Sequence, residues 1–396
     1  MLTEFVLFFF LLLIIAALLN GEFAFTLLYL VFGAVLFGWA WSRQAGRAVR
    51  YSRKFEERAF WGEEIPIRIE IQNTGWLPVP WLYLHESLPV ELAPGGPVKH
   101  VLSLGPNGRA EIAYQLQGRK RGRYPIGPLF ATCGDPIGLA RPQDYSAAPD
   151  HITVFPKIIP LTSLHLPSRS PQGTLRHRQP IFEDPARLLN KRDYTAGDSL
   201  RRIDWKSSAA LGRLQVKQFE PSIALEASIF LNLNASEYES QHRIDATELA
   251  IVVAASIANW VAEQRQAVGL VTNGIDPYAE NRSVSSLPPR KGRGHLMRLL
   301  ETLARLQSAP TIGLTDLLRR ESPPLPWGTT VVVITGRADE SLFDELIQVQ
   351  RRGQNVVLIL TGRAINIQKA AEQARNFGFP LYAFQNEAGL DIWRRS

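Results

Sequence analysis

The fold of the C-terminal part of the chain is decided by residues 329–360, TTVVVITGRADESLFDELIQVQRRGQNVVLIL. The apolar run at 331–334 with its flanking threonines predicts a buried strand over 329–335, and a second such strand follows at 355–360. Between the two runs, residues 341–351 carry the pattern of a helix. Strand, helix and strand in this order predict two parallel strands with the helix packed on the sheet.

The same alternation extends over the whole region from residue 223 to residue 396. We predict further strands at 227–233, 267–272 and 381–384, and helices at 245–263, 294–306, 313–320 and 364–376. Strands that alternate with helices of this length predict an α/β domain with a parallel sheet covered on both faces. The helix at 245–263 is the most apolar, and Ser256 and Asn259 favour a buried core helix over a membrane span.

Residues 55–160 follow a different pattern. Apolar and polar residues alternate over 64–72, and turn sequences such as Asn73-Thr74-Gly75 separate this stretch from similar ones. We predict strands at 64–72, 79–86, 99–104, 109–116, 124–132 and 151–155. Short alternating strands joined by turns predict antiparallel pairing and a small β-sandwich-like domain.

Two apolar runs, 5–19 and 23–41, precede this domain and are separated by an Asn20-Gly21 turn. A membrane-spanning helix needs roughly 20 apolar residues, so the runs predict a two-helix transmembrane hairpin. The basic residues that follow place both soluble domains in the cytoplasm under the positive-inside rule. We therefore expect a multi-pass protein of the cell membrane in contact with lipid. A secretory signal peptide is the alternative, but residues 1–4 lack its basic start.

The predicted organisation is that of a multidomain α+β protein. Its parts are a transmembrane hairpin at 1–42, a basic juxtamembrane linker at 43–54, a β-sandwich-like domain at 55–160, a linker with a sequence motif at 161–222 and the α/β domain at 223–396.

Composition and charge exclude several classes of protein. The chain has 396 residues, 45% of them hydrophobic, and a net charge of +7. Two basic stretches, 42–58 and 169–217, carry more than this excess, so we do not expect nucleic acid as a partner. Cys133 is the single cysteine, which excludes a disulfide-built scaffold and a multi-thiolate metal site.

The sequence contains no signature of an enzyme. It has no phosphate-binding loop, no dinucleotide fingerprint and no His-Glu-x-x-His helix, and its seven histidines are scattered. Cys133 has no identifiable base to activate it, so we interpret it as a packed thiol. We predict no catalytic residue, no cofactor and no metal, and a hydrolase with an unrecognised triad stays as an alternative.

The motif between the two soluble regions is NKRDYTAGDSLRRIDWKSSAA, residues 190–210. Gly197 permits a tight turn, and Asp198 is a suitable N-cap for a short helix. Leu200 and Ile203 would then lie on one face of that helix. The alternating residues 214–219 predict a strand that packs against it.

This motif resembles the bacterial and archaeal family known as domain of unknown function fifty-eight. The residues that match the family pattern are Tyr194, Gly197, Asp198, Arg201, Arg202, Ile203, Trp205, Ala209 and Phe219. The resemblance implies a membrane-anchored protein with a β-rich domain and a von Willebrand factor A-like α/β domain. It also implies a MoxR-type AAA+ ATPase as partner. We expect a non-enzymatic scaffold or adaptor that binds proteins during protein or envelope assembly.

The motif has two interpretations, which concern Tyr194, Gly197, Asp198, Arg201, Arg202, Asp204, Trp205 and Lys206. In the structural interpretation, Asp198 caps a helix, Trp205 fills the junction between domains and the arginines pair with local acids. In the functional interpretation, Arg201, Arg202 and Lys206 form a docking surface for an acidic partner. The sequence leaves both open.

A metal-binding von Willebrand A domain uses Asp-x-Ser-x-Ser after its first strand and a second Asp after a later strand. The corresponding positions here are Asn232, Asn234 and Ser236, and Thr335-Gly336-Arg337 stands where the second carboxylate would be. Neutral oxygens offer no charge to offset the dehydration of Mg²⁺. We therefore expect a degenerate site without metal, and a Mg²⁺-dependent ligand-binding module is the alternative function.

Overall fold

The computed structural model describes residues 10, 13–14, 22–93, 95–136, 143–162, 164, 183–195, 203–221, 226–279, 285–363 and 367–394. The chain divides into two compact units, Met1–Lys157 and Ile158–Ser396. The division lies close to residue 160, where the alternating pattern of the β-rich domain ends.

The described part of the N-terminal unit contains one long helix followed by ten strands. The helix α1 spans Glu22–Ala48. The strands are β1 Val49–Lys54, β2 Arg58–Ala59, β3 Glu64–Asn73, β4 Val79–Glu86, β5 Val98–Leu104, β6 Arg109–Gln117, β7 Gly122–Ile126, β8 Leu129–Cys133, β9 Gln143–Ser146 and β10 Asp150–Val154. The predicted strands are confirmed, except that 124–132 forms two strands, β7 and β8. The interruption falls at Gly127, which has a φ of 99°, and Pro128.

These strands form three sheets, in the orders β1-β3-β6, β2-β10-β7 and β5-β4-β8-β9. Strand β3 alternates strictly, so Ile65, Ile67, Ile69 and Ile71 share one buried face. They join residues of β4 and β8 in one hydrophobic core. Burial of each isoleucine stabilises the unit by roughly 1.5–3 kcal/mol. The alternation that predicted the strands is therefore what builds the core.

The stretch expected to be a basic linker, 43–54, is a helix end and a strand instead. Helix α1 continues to Ala48, and β1 pairs with β3 in antiparallel register from Val49 opposite Asn73 to Lys54 opposite Arg68. The strand was not predicted because its basic residues are typical of a solvent-exposed linker. Arg53 is nevertheless buried, and its charge is paired with that of Glu86.

Two helices are long and apolar enough to span a membrane by length and composition, Phe25–Ala48 within α1 and Arg243–Glu263. The most apolar stretch is 17% buried in the first and 72% buried in the second. The second is a core helix, as its sequence predicted. The first helix of the predicted hairpin lies outside the described residues, apart from residues 10, 13 and 14.

The C-terminal part of α1 packs against the strands. Trp41 Nε1 donates to the carbonyl of Pro78 at 3.1 Å, and Ala45 belongs to the hydrophobic core. The ring of Tyr145 lies so close to Gly46 that a Cβ there would come within 2.3 Å of it. The apolar helix therefore enters the β-rich unit without a break.

The described part of the C-terminal unit contains an antiparallel hairpin and a larger sheet. The hairpin consists of β11 Glu183–Asp193 and β12 Gln215–Pro221, with helix α2 Trp205–Leu211 between them. The other elements are β13 Glu226–Leu231, α3 Arg243–Glu263, β14 Ala267–Thr272, β15 Ser285–Arg290, α4 Arg293–Arg305, α5 Leu314–Glu321, β16 Thr330–Thr335, α6 Glu340–Arg351, β17 Asn355–Thr361, α7 Ile367–Phe377 and β18 Leu381–Phe384. They confirm the predicted alternation of strands and helices.

The larger sheet has the strand order β15-β14-β13-β16-β17-β18. The neighbours β14-β13-β16-β17-β18 pair in parallel, but β15 pairs antiparallel with β14. The predicted parallel sheet is therefore a mixed sheet. Its edge strand was missed because it contains Pro288 and Pro289, and proline is tolerated in a sheet mainly at an edge.

The segment 161–222, predicted as a linker with a motif, contains the hairpin. The helix predicted after Asp198 does not extend over Ile203, and the described helix α2 starts at Trp205. Ile203 forms a β-bridge with Val216 rather than lying on a helix face. Asp198 and Leu200 are outside the described residues.

Candidate functional site

The carboxyl ends of β13 and β16 lie side by side in the middle of the larger sheet, where the strand order changes direction. Ligands of open α/β sheets bind at this position. Asn232 follows β13 directly, and its backbone N–H donates to the carbonyl of Ile334 at 2.9 Å. The structure therefore brings together the two segments in which metal ligands were sought, 232–236 and 335–337.

Asn232 is fully buried, and its side chain makes four hydrogen bonds. Its Oδ1 accepts from the backbone N–H of Asn234 at 3.0 Å and from Asn273 Nδ2 at 2.9 Å. Its Nδ2 donates to Glu237 Oε2 at 2.7 Å and to Thr335 Oγ1 at 2.9 Å. A backbone N–H can only donate, so it fixes which amide atom is the oxygen. Both ends of the amide are therefore engaged inside the protein.

Glu237 supplies the carboxylate of this group, which we call the amide network. Besides Asn232, its oxygens accept from Asn234 Nδ2 at 3.2 Å and from the backbone N–H of Leu314 at 3.1 Å. Leu314 is the first residue of α5, where a negative charge is favourable. Asn234 Oδ1 accepts from the backbone N–H of Ser236 and caps a short 3₁₀ turn. The carboxylate is thus held by three donors, two from its own loop and one from the start of α5.

Asn273 completes the amide network and was not identified from the sequence. Its Oδ1 accepts from the backbone N–H of Leu233 at 2.7 Å. Its Nδ2 donates to the carbonyl of Ile312 at 2.8 Å as well as to Asn232. The available signal was a polar residue directly after an apolar strand, at the same edge as Asn232.

Tyr238 also contacts the amide network. Its hydroxyl donates to the carbonyl of Asn232 at 2.6 Å. Its ring packs against Gly336, where a Cβ would come within 2.3 Å. Burial raises the pKa of the Tyr238 phenol, so the hydroxyl stays a neutral donor. A carboxylate side chain in place of Gly336 would collide with this ring.

The residues present do not fit a divalent cation. Mg²⁺ needs oxygen ligands in near-octahedral geometry. Here the NH₂ group of Asn232 points at the Glu237 carboxylate, and the Asn232 oxygen already accepts two hydrogen bonds. Among the residues that the structure describes, no group of three or more His, Cys, Asp or Glu could hold a metal ion. Asn232, Asn234 and Ser236 are parts of an internal hydrogen-bond network.

An open cleft of about 670 Å³ borders the amide network. Arg337, Arg363 and Lys369 line it together with acidic residues. Lys369 pairs with Glu340 at 3.0 Å, whereas the Arg337 side chain is 66% exposed and lies 3.9 Å from Asp339. A polar cleft of mixed charge suits a protein surface better than a small apolar ligand.

The described residues of the sequence motif lie in the hairpin with α2, which we call the hairpin–helix module. Asp204 caps α2, because its Oδ1 accepts from the backbone N–H of Ser207 at 3.2 Å. Its Oδ2 lies 2.8 Å from Lys191 Nζ on β11. The hydrogen bonds from Lys191 and Ser207 lower the pKa of Asp204 to about 2. Asp204 therefore fixes α2 to β11.

Asp193 and Ser208 hold the base of the module. Asp193 accepts hydrogen bonds from the side chain of Gln215 and from Arg213, the latter at 3.0 Å. Ser208 is buried, and its hydroxyl donates to the carbonyl of Asp204 at 2.8 Å while accepting from the backbone N–H of Gln215 at 2.8 Å. These contacts join α2 firmly to β12.

The remaining described residues of the motif face solvent to different degrees. Trp205 is 68% exposed, so it is not buried within the hairpin–helix module. Lys206 is also exposed, and Tyr194 is half-buried with its backbone N–H donating to the carbonyl of Leu214 at 2.9 Å. Gly197, Asp198, Arg201 and Arg202 lie outside the described residues. The motif therefore combines a structural residue, Asp204, with an exposed pair.

The family described as "Protein of unknown function DUF58" matches residues 190–372. This segment of the chain is similar to the DUF58 family. It begins within β11 and ends within α7, so it includes most of the hairpin–helix module and the whole amide network.

Two curated relatives are similar to parts of the chain. "Uncharacterized protein YeaD" of Bacillus subtilis (strain 168) is 24% identical over 234 residues, which cover 59% of this chain and 55% of the relative. An uncharacterized protein of Mycobacterium tuberculosis (strain CDC 1551 / Oshkosh) is 28% identical over 118 residues, covering 30% and 35%. The chain thus matches about half or less of the length of these relatives.

Among solved structures, a CARDB domain from Pyrococcus furiosus is 13% identical to this chain with a TM-score of 0.19. It covers 27% of this chain, and the match covers 86% of that domain. A likeness at this level carries no information about the function of residues 190–372.

Proposed function

We propose that this chain is a membrane-anchored, non-enzymatic scaffold or adaptor that acts by binding other proteins. Its partner is a MoxR-type AAA+ ATPase, and its role lies in protein or envelope assembly. The observation that carries this proposal is the exposed pair Trp205 and Lys206 on α2, a helix whose own position is fixed by Asp204. The pair is the docking surface.

The chemistry of this surface favours protein binding. Tryptophan is enriched among the residues that dominate binding energy at interfaces. Leu211 and Leu214 of the same module are 57% and 43% exposed, so Trp205 is not an isolated apolar side chain. The contacts of Asp204 with Lys191 and Ser207 order the module before a partner arrives. Preorganisation of this kind lowers the entropic cost of association.

The C-terminal unit supports a von Willebrand factor A-like assignment in its strand order. When the six strands of the larger sheet are numbered in chain order, they lie across the sheet in the order 3-2-1-4-5-6, with the antiparallel strand at one edge. The amide network occupies the edge where such a domain would hold a metal. This favours partner binding through protein groups alone over a Mg²⁺-dependent module.

Helix α1 supports the membrane anchor as the second span of the hairpin, with residues 5–19 as its first span. Its exposed apolar side chains include Leu27, Leu30 and Phe37. Arg43, Arg47 and Arg50 remain exposed after the apolar run. Under the positive-inside rule, these three arginines favour a cytoplasmic position for both soluble units.

The proposal is tested by affinity purification of the full chain from mildly solubilised membranes of its source, followed by mass spectrometry. We compare the parent with a double variant, Trp205→Ala and Lys206→Glu. The parent is expected to retain an AAA+ ATPase, and the variant to lose most of it. Truncation of a central tryptophan costs about 2 kcal/mol or more, which lowers affinity about 30-fold.

A matched control uses Arg243→Glu with Ile244→Ala on α3. This pair is also an exposed apolar residue beside an exposed cation, and Ile244 is 68% exposed. A glutamate at the N-terminus of α3 does not oppose the helix dipole. Retention of the ATPase by both variants, or by neither, contradicts the docking surface. Absence of any ATPase from the parent contradicts the proposed partner.

A further inference from the structure

A small pocket of about 270 Å³ lies where α1 ends against the β-rich unit. Its lining includes two arginines, Arg47 and Arg50, and two tyrosines, Tyr51 and Tyr145. Among the described residues that line it there is no carboxylate. The pocket is therefore positively charged and bordered by phenol groups.

The two arginines of this pocket differ from Arg53 and Lys54, which follow them in the chain, in having no acidic partner among the described residues. Arg53 pairs with Glu86 and Asp150, and Lys54 pairs with Glu70. Arg50, in contrast, donates to the backbone carbonyl of Arg47 at 3.0 Å, which holds its guanidinium at the end of α1. The charges of Arg47 and Arg50 are thus left for a ligand.

Tyr145 forms one wall of the pocket because Gly46 allows it to approach α1. A Cβ on residue 46 would come within 2.5 Å of the Tyr145 hydroxyl oxygen. Burial raises the pKa of the Tyr145 phenol, and the charges of Arg47 and Arg43 oppose this rise. The hydroxyl is therefore a protonated donor that lies within the field of the arginines.

The place of the pocket along α1 indicates what fills it. The apolar run of α1 ends at Trp41, and Gly46 follows five residues later, about 7.5 Å further along the helix. The polar headgroup layer of a bilayer is roughly 5–8 Å thick on each side of a hydrocarbon core of about 30 Å. Trp39 and Trp41 are residues typical of the membrane interface. A chain anchored by α1 therefore has this pocket at the level of the lipid phosphates.

We propose that the pocket binds the phosphate of an anionic phospholipid, with Arg47 and Arg50 as its charge partners and the Tyr145 hydroxyl as a hydrogen-bond donor. This inference rests on the proposed membrane anchoring of α1. Arginine suits the task because its planar guanidinium binds phosphate oxygens in pairs. The bound lipid fixes the β-rich unit at the membrane surface.

The test is native mass spectrometry of the full chain released from a neutral detergent, after incubation with phosphatidylglycerol or phosphatidylcholine. The parent is expected to retain phosphatidylglycerol preferentially. The double variant Arg47→Gln and Arg50→Gln is expected to bind it about 30-fold more weakly, about fivefold per charge removed. The control removes two charges elsewhere, with Lys99→Gln and Arg109→Gln, both exposed on the β-rich unit, and retains the lipid.

Three outcomes overturn the proposal. The first is equal retention of both lipids by the parent. The second is equal loss of phosphatidylglycerol from the variant and the control. The third is displacement of the lipid by millimolar inorganic phosphate, which would make free phosphate the ligand. Fractionation of cells that produce each variant separates this failure from that of the anchor. If the anchor is wrong, the parent and the variants all leave the membrane fraction. If only the lipid site is wrong, all of them stay in it.

Discussion

Each of the two units buries a cluster of polar side chains, and the two clusters use different chemistry. In the β-rich unit, Arg53 lies between Glu86 and Asp150 and carries formal charges into the interior. In the C-terminal unit, the amide network joins neutral groups around a single carboxylate, Glu237. The first cluster is stable only when each buried charge is paired with an opposite charge. The second is stable only when each buried amide group is hydrogen-bonded.

The charged cluster holds strands together. The side chains of Arg53 and Glu86 are 4% and 1% exposed, and Tyr114 donates its hydroxyl to Glu86. Burial and the Glu86 carboxylate raise the pKa of Tyr114, and the Glu86 charge keeps the pKa of Arg53 above its usual value despite burial. Such a pair stabilises the fold only while both partners are present.

The amide network differs from the charged cluster in the kind of group that it buries. Neutral amides cost less to bury than ions, and their hydrogen bonds are directional. Asn232 uses both amide atoms in hydrogen bonds within the protein, so its oxygen is not available to a cation. Substitutions at Arg53, Asn232 and Asp204 test how the two units are stabilised.

The largest effect is expected at the charged cluster. Arg53→Met leaves the buried charge of Glu86 without its ionic partner and destabilises the β-rich unit by about 3–5 kcal/mol. Urea unfolding in detergent, followed by hydrogen exchange of peptides from β3 and β4, measures this loss separately from the other unit. The double variant Arg53→Met with Glu86→Leu should recover much of it. Equal losses in the single and double variants would show that the pairing of the charges does not matter.

An intermediate effect is expected at the amide network. Asn232→Asp places a carboxylate beside Glu237 and removes the two hydrogen bonds that Nδ2 donates, so we expect a loss of about 1–3 kcal/mol in the C-terminal unit. The unfolding midpoint of the parent should not respond to millimolar Mg²⁺, whereas that of the variant should rise, because a cation can neutralise the new carboxylate pair.

The matched control for this variant is Asn259→Asp on α3. Asn259 donates to Glu263 at 2.8 Å in an exposed position, so the same change should alter stability by about 0.5 kcal/mol or less. A rise in the midpoint of the parent with Mg²⁺, measured by calorimetry, would mean that the sheet edge binds metal after all.

The smallest effect is expected at Asp204. The pKa of its carboxyl is about 2 in the folded chain and about 3.9 when unfolded. The carboxylate therefore stabilises α2 fully above about pH 5, and this contribution is lost as the pH falls towards 2. Hydrogen exchange of peptides that cover α2 should show this loss. Asp204→Asn keeps an N-cap residue and should remove most of the pH dependence, whereas Asp316→Asn on α5 should not.

Sequence patterns predicted most elements of the two soluble units. The runs of β16 and β17 and the alternation of β3 follow directly from burial on two faces or one. Strand β1 was hidden because Arg53 finds its partners, Glu86 and Asp150, 33 and 97 residues away. Strand β15 was hidden by its prolines. Pairings over such distances leave no local trace in the sequence.

The candidate site was only partly predictable for the same reason. Asn232, Asn234 and Ser236 were found because they occupy one continuous stretch after a strand. Asn273 and Leu314, which complete the amide network, come from elements 41 and 77 residues away from their partners in it. The cap formed by Asp204 was not predicted, because Asp198 and Asp204 are both suitable N-cap residues and local propensity does not distinguish them.

The most direct test of the adaptor role is photo-crosslinking in the source cells, with a benzoyl-phenylalanine in place of Trp205 and, as control, in place of Ile244. Both side chains are 68% exposed, so solvent access is matched. We predict that position 205 crosslinks to an AAA+ ATPase and that position 244 does not. Crosslinking of the ATPase at 244 but not at 205, or no ATPase at either position, would contradict the account.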